Sequence, residues 1–137
     1  MQIQNKEKQY HHTNHLVYSC YYHVVFTPKY RRAVLIDEIA ERLEELIYEK
    51  QEEYDYKVVE CEILPDHVHL LLDVNPKTGV YTVVRKIKGY TSHALREEFP
   101  QLKKRLPTLW TQSKFISSCG AVTLFAVKQY LEDQKGK

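Results

Sequence analysis

The sequence predicts a single α+β domain: an antiparallel sheet with helices on one face and a further helix at the C-terminus. Three observations carry that expectation. The apolar period alternates between two and 3.6 residues, in the order strand, helix, strand, strand, helix, strand, helix. Only Leu64-Pro65-Asp66 separates the second strand from the third, a connection short enough to require an antiparallel hairpin. A chain of 137 residues that is 43% apolar has one domain's length and enough core to exclude a disordered class.

Residues 1–14 are polar and read as a loose tail ahead of one domain over 15–137. Leu16 to Phe26 is rich in aromatic and β-branched residues and predicts the first strand, closed by Thr27-Pro28. Ile36, Ile39, Leu43, Leu46 and Ile47 recur at helical spacing and predict a helix from Ile36 to about Glu53. Tyr56 to Leu64 alternates, with Val59, Cys61 and Ile63 on one face and Glu60 and Glu62 on the other. His67 to about Val74 forms the next strand, and Asn75-Pro76-Lys77-Thr78-Gly79 a loop. Val84, Ile87, Ala94 and Leu95 stripe a helix from Val80 to about Phe99, interrupted by Gly89 at a cost of roughly 1 kcal/mol against alanine. Pro100 to Pro107 reads as a basic connector, Phe115 to Ser118 as a short last strand, and Val122 to Gln134 as the closing helix. That order is the ferredoxin-like arrangement with an added C-terminal helix.

The formal charge of +2 is nearly neutral, but the charges are segregated. Acidic residues crowd Asp37 to Glu62, whereas basic ones gather at Lys29 to Arg32, Arg85 to Lys88 and Lys103 to Arg105, a pattern that can leave one face positive. Lys29-Tyr30-Arg31-Arg32 interleaves an aromatic with three cations, which suits phosphate contact. Cys20, Cys61 and Cys119 are odd in number and widely spaced, which argues against a disulfide framework and for a reducing compartment. No leader opens the chain and no apolar run approaches the ~20 residues of a membrane span, so a soluble cytoplasmic protein is expected.

The chemistry concentrates in Pro65-Asp66-His67-Val68-His69-Leu70-Leu71-Leu72. On a strand His67 and His69 share a face, with imidazoles about 7 Å apart that can converge on one divalent ion. Two such ligands do not complete a metal site. Tyr130 and Gln134, four apart on the closing helix, lie about 40° from one another around its axis. That spacing presents a phenol and an amide oxygen together, a weak signal by itself among eleven tyrosines.

Taken together, these segments resemble the small single-tyrosine transposases of bacterial and archaeal insertion sequences, whose signature is a histidine–hydrophobic–histidine strand. The resemblance rests on Tyr22-His23-Val24-Val25-Phe26, Lys29-Tyr30-Arg31-Arg32, Pro65 to Leu71, Lys88-Gly89 with Ser92, Phe99-Pro100-Gln101-Leu102, Leu109-Trp110 and Val127 to Gln134, in order over about residues 15–135. It implies that His67, His69 and Gln134 hold Mg²⁺ or Mn²⁺ and that Tyr130 is the nucleophile. The substrate it implies is single-stranded DNA with a hairpin near each transposon end, handled by a homodimer whose active sites are shared between subunits. Lys29, Arg31, Arg32, Arg85 and Lys88 are the cations expected at the DNA. The chain departs from the family's pattern at Lys114, where an aromatic is common, and in Lys88-Gly89-Tyr90-Thr91-Ser92. Two other classes remain open on the residues alone. One is a non-catalytic module that binds nucleic-acid hairpins on an RRM-like surface; the other is a zinc hydrolase using His67, His69 and a carboxylate such as Glu62.

Overall fold

The computed structural model describes residues 11–13, 16–18, 20–118 and 124–135. His11–Thr13 (β1) and Leu16–Tyr18 (β2) pair as a two-stranded antiparallel ribbon, separate from the main sheet. The long apolar run expected as one strand is therefore two, and the main-sheet strand is Tyr21–Phe26 (β3). The rest of the expected tail lies outside the described residues.

After a 3-10 turn at Lys29–Arg31 come α1 (Asp37–Glu49) and α2 (Gln51–Tyr54), the expected single helix broken at Lys50. Then follow β4 (Tyr56–Leu64), β5 (His67–Val74), α3 (Val80–Glu98), α4 (Pro100–Arg105), β6 (Phe115–Ser118) and α5 (Leu124–Asp133). The four-stranded sheet runs β4-β5-β3-β6 with every neighbouring pair antiparallel, which is the ferredoxin-like order. The basic connector is largely helical. Proline at its first position presets the backbone, and buried Leu102 anchors it in the core.

The pleat divides the sheet's side chains in two. Val24, Phe26, Val68, Leu70, Leu72 and Val74 face one way and join α1 and α3 in the core with Leu43, Leu46, Ile47, Val83, Val84, Ile87 and Leu95. Burying each such side chain is worth roughly 1.5–3 kcal/mol. Trp110 closes the end of this core, its ring edge-on to Phe26 at 4.7 Å and its indole N–H donating to Thr91 Oγ1 at 3.1 Å. Gly89 lies on the exposed side of α3 with no atom within 4 Å of where a Cβ would sit, so no close approach explains it.

The other face carries the histidines. Register aligns Phe115, Val25, His69 and Glu62 in one row across the four strands, and Ser117, His23, Leu71 and Glu60 in the next. The hairpin loop Pro65-Asp66 puts His67 at the end of β5 opposite Leu64. Among the described residues no helix is long and apolar enough to cross a membrane.

Candidate active site

His67 is oriented by its own turn. Its Nδ1–H donates to Asp66 Oδ1 at 3.0 Å, which leaves Nε2 as the free lone pair for a cation. Asp66 Oδ2 accepts from Arg31 Nε at 2.7 Å, and Arg31 Nη1 continues to the carbonyl of Leu131 on α5 at 2.9 Å. Burial by itself would raise the Asp66 pKa, but the bonds from His67 and Arg31 and the Arg31 charge outweigh it and hold the carboxyl below its usual range. One strut thus links the histidine strand to the closing helix.

His69 sits one pleat further in, with Nε2 3.4 Å from Nδ1 of His23 and the rings 5.6 Å apart. Burial, then the neighbouring His69, lower the His23 pKa, so His23 is neutral at pH 7. The sequence places His23 on a strand but not beside His69; the pairing depends on the β3–β5 register, which no local signal encodes.

Tyr130 rests on this same face. Its ring packs against Phe115 with centroids 5.9 Å apart, and Phe115 shares the row of His69 two strands away, about 10 Å at sheet spacing. The phenol donates to the Ser113 carbonyl at 3.2 Å and lies 3.5 Å from the Ser113 hydroxyl. Burial raises the Tyr130 pKa, opposed by the hydroxyls of Ser113 and Thr27. The Thr27 hydroxyl is fully buried and has no hydrogen bond of regular geometry; its closest role is beside the phenol. Gln134 lies one residue beyond α5, still a single turn from Tyr130, and is buried with Oε1 accepting from Thr111 Oγ1 at 3.4 Å.

The loop that receives both residues is held from behind by Lys88. Its Nζ donates to the carbonyls of Thr111, Gln112 and Ser113 at 2.7, 3.4 and 3.3 Å. Burial, with a smaller contribution from Lys114, pushes Lys88 down to about 8. The five cations expected at DNA thus separate. Arg31 and Lys88 direct their charges into the protein. Lys29 and Arg32 flank the exposed ring of Tyr30 at 5.4 and 5.9 Å, and Arg85 is exposed on α3. The sequence offers Ser117-Ser118-Cys119-Gly120 as a hinge ahead of the closing helix; Ser117 and Ser118 belong to β6, and Cys119 and Gly120 lie outside the described residues.

Among the described residues no three His, Cys, Asp or Glu side chains are grouped to hold a metal. Glu62 is level with His69 in the sheet but exposed on the edge strand.

Comparison with known proteins identifies the family and the fold. Residues 16–134 match the family described as "Transposase IS200 like". The chain is 32% identical over 123 residues to the ISDra2 transposase TnpA of Deinococcus radiodurans, covering 88% of each. It is 31% identical over 130 residues to the transposase of insertion sequence element IS200 from Salmonella typhimurium, covering 93% of this chain and 83% of that one. A crystal structure of a candidate transposase from Deinococcus radiodurans R1 superposes with a TM-score of 0.84 at 30% identity, over 93% of this chain and 99% of that one. A REP-associated tyrosine transposase bound to a REP hairpin shares the fold alone, with a TM-score of 0.56 at 13% identity over 90% and 70% of the two chains. With its sheet order, its paired histidines and a family match spanning 119 of 137 residues (16 through 134), the chain belongs to the IS200-like transposases.

Proposed function

We propose that this chain cuts and rejoins single-stranded transposon ends through a covalent bond between Tyr130 and a DNA 5′-phosphate. The observation that carries the reading is the placement of Tyr130 on the histidine face, with its helix tied to the His67 turn through Arg31 and Asp66. In the first step the Tyr130 oxygen bonds to phosphorus and the bond from phosphorus to the 3′-oxygen breaks. The phenol gives up its proton and the departing oxygen gains one, which leaves a 5′-phosphotyrosine and a free 3′-hydroxyl. The reverse reaction with a different 3′-hydroxyl joins new strands, and needs no nucleotide cofactor because the link retains the phosphodiester energy.

Two imidazoles and one amide form a neutral donor set that leaves a divalent ion's charge largely intact: His67 Nε2 is left over from the Asp66 bond, His69 Nε2 lies 3.4 Å from His23 Nδ1, and the Gln134 amide oxygen, which accepts from Thr111 in this structure, is the third donor. When bound by these three residues, Mg²⁺ or Mn²⁺ would supply Lewis-acid polarisation of the scissile phosphate. Asp66 fixes the His67 tautomer, and Arg31 holds α5 at the histidine strand. The Ser113 carbonyl keeps the Tyr130 hydroxyl protonated and aimed until substrate displaces that bond. Lys29, Arg32 and Arg85 are the phosphate contacts of a hairpin-bearing strand, with Tyr30 as a stacking surface between two of them. Excision cuts two ends and each chain offers one such tyrosine, so the working unit is a homodimer.

The test is a labelled single-stranded end with its hairpin, incubated with the protein and Mn²⁺. The wild type should form a denaturation-resistant protein–DNA adduct. Tyr130→Phe should form none while holding the hairpin with affinity within twofold, since only a hydroxyl is lost. Adduct from the phenylalanine variant would assign the chemistry to another tyrosine.

A further inference from the structure

A groove of about 410 Å³ opens beside the candidate nucleophile, lined by Tyr81, Ser113, Lys114, Phe115 and Ile116. Two of its walls belong to the active site: Phe115 carries the Tyr130 ring, and Ser113 receives the Tyr130 hydroxyl. The third wall is different in kind. Tyr81, in the first turn of α3, leaves 71% of its surface in water, the most exposed of the large apolar side chains that the structure leaves uncovered. Its helix end is fixed, because Gly79 N–H donates to Asn75 O and Val83 N–H donates to Gly79 O. Lys114 Nζ lies 5.3 Å from the centre of the Tyr81 ring. The volume falls in the range of small-ligand sites, about 300–1,000 Å³.

From this juxtaposition we infer that the groove seats one unpaired nucleotide next to the scissile phosphate, with Tyr81 stacking on the base and Lys114 meeting its phosphate. The inference rests on the transposase chemistry proposed above and names the part of the substrate that its site reads. An exposed aromatic on a rigid helix end pays little entropy to become a stacking platform, and every base has a face to offer it. Lys114, over one face of the ring, leaves the other face for the base and adds attraction for the phosphate without discriminating among bases. Continuity with Tyr130 restricts the occupant to the strand being cut, not the paired hairpin stem.

The experiment uses the full chain carrying Tyr130→Phe, which cannot react, and hairpin oligonucleotides with 2-aminopurine at each single-stranded position on both sides of the hairpin foot in turn. One position should be quenched on binding, and adding Tyr81→Ala should abolish that quenching and weaken binding of the extended oligonucleotide roughly fivefold or more, while affinity for the hairpin stem without its extension stays within twofold. Tyr81→Trp should retain it. In the reactive protein, an abasic site at that position should slow single-turnover adduct formation about tenfold, but less than twofold when Tyr81→Ala is already present. Lys114→Met should weaken binding of the single-stranded extension about threefold to tenfold and lessen its salt dependence. Quenching that survives Tyr81→Ala at every position, or equal abasic penalties with and without Tyr81, would overturn the inference. Absence of adduct from the wild type on any end would instead overturn the chemistry on which it rests. Thermal melting of Tyr81→Ala, expected to be unchanged for so exposed a residue, separates either result from misfolding.

Discussion

Replacing Lys88 by methionine tests what a partly buried ammonium does behind the active-site loop. The pKa of this lysine falls from 10.5 in the open chain to about 8 in the fold. Between those values the folded chain binds fewer protons than the unfolded one, so the stability contributed at this position rises with pH through that window and is flat below it. Integrating the proton difference gives about 2 kcal/mol gained between pH 7 and pH 9.5. The side chain keeps some contact with water, which trims the figure to roughly 1–2 kcal/mol. Methionine has nothing to titrate. Urea unfolding of both proteins across that range should show the wild type gaining this amount on Lys88→Met. A difference that stays constant from pH 7 to pH 9.5 would mean that the three carbonyl oxygens hold the charge fully, and would refute burial as the dominant force. The same variant frees the Ser113 carbonyl that receives Tyr130, so adduct formation should slow about tenfold, roughly 1.4 kcal/mol, with hairpin affinity within twofold. A loss of affinity with a shallower salt dependence would instead assign Lys88 to the DNA.

Three other outcomes follow from the site. His67→Ala or His69→Ala should abolish calorimetric Mn²⁺ binding, while Gln134→Ala weakens it less, because an amide is the poorest of the three donors; unchanged affinity in both histidine variants would remove the metal site. Arg31→Met breaks two bonds of a charged group and should cost about 2 kcal/mol in urea unfolding; it should reduce adduct formation more than hairpin binding, and a pure binding defect would make Arg31 a DNA contact. Mixing His67→Ala with Tyr130→Phe subunits should restore single-end cleavage if histidines of one chain work with the tyrosine of the other. Heterodimers that demonstrably form yet stay inactive would confine each site to one chain.

Much of this architecture was readable from period alone. β4 and β5 fall within a residue of their expected ends, because Glu60, Glu62, His67 and His69 alternate with apolar neighbours and so short a turn leaves no other pairing. The α4 helix was not readable: six residues with one buried leucine are too few to display a period. The break at Lys50 was hidden because charged residues on both sides support helix equally well. Tyr130 and Gln134 were visible as a pair, yet their seat on the 111–113 loop was not. Backbone carbonyls hold that seat together, and a carbonyl has no signature in the sequence. For the same reason Arg31 and Lys88 looked like surface cations. Whether a long basic side chain turns outward or inward depends on which acceptors the distant chain brings near, as Leu131 does for Arg31 across 100 residues.

The carboxylate of Asp66 is divided between two duties, one oxygen on His67 and the other on Arg31. Both partners are donors, so the position demands two acceptors on a short stem. Asparagine supplies only one; its amide group would present N–H to whichever donor its oxygen did not face, setting two hydrogens against each other. Glutamate has both oxygens but an extra methylene, which would carry them past a turn only two residues long. The orientation of the imidazole and the anchoring of the terminal helix therefore cannot vary independently in this chain: a change that relaxes one releases the other, and aspartate is the smallest side chain that satisfies both at once.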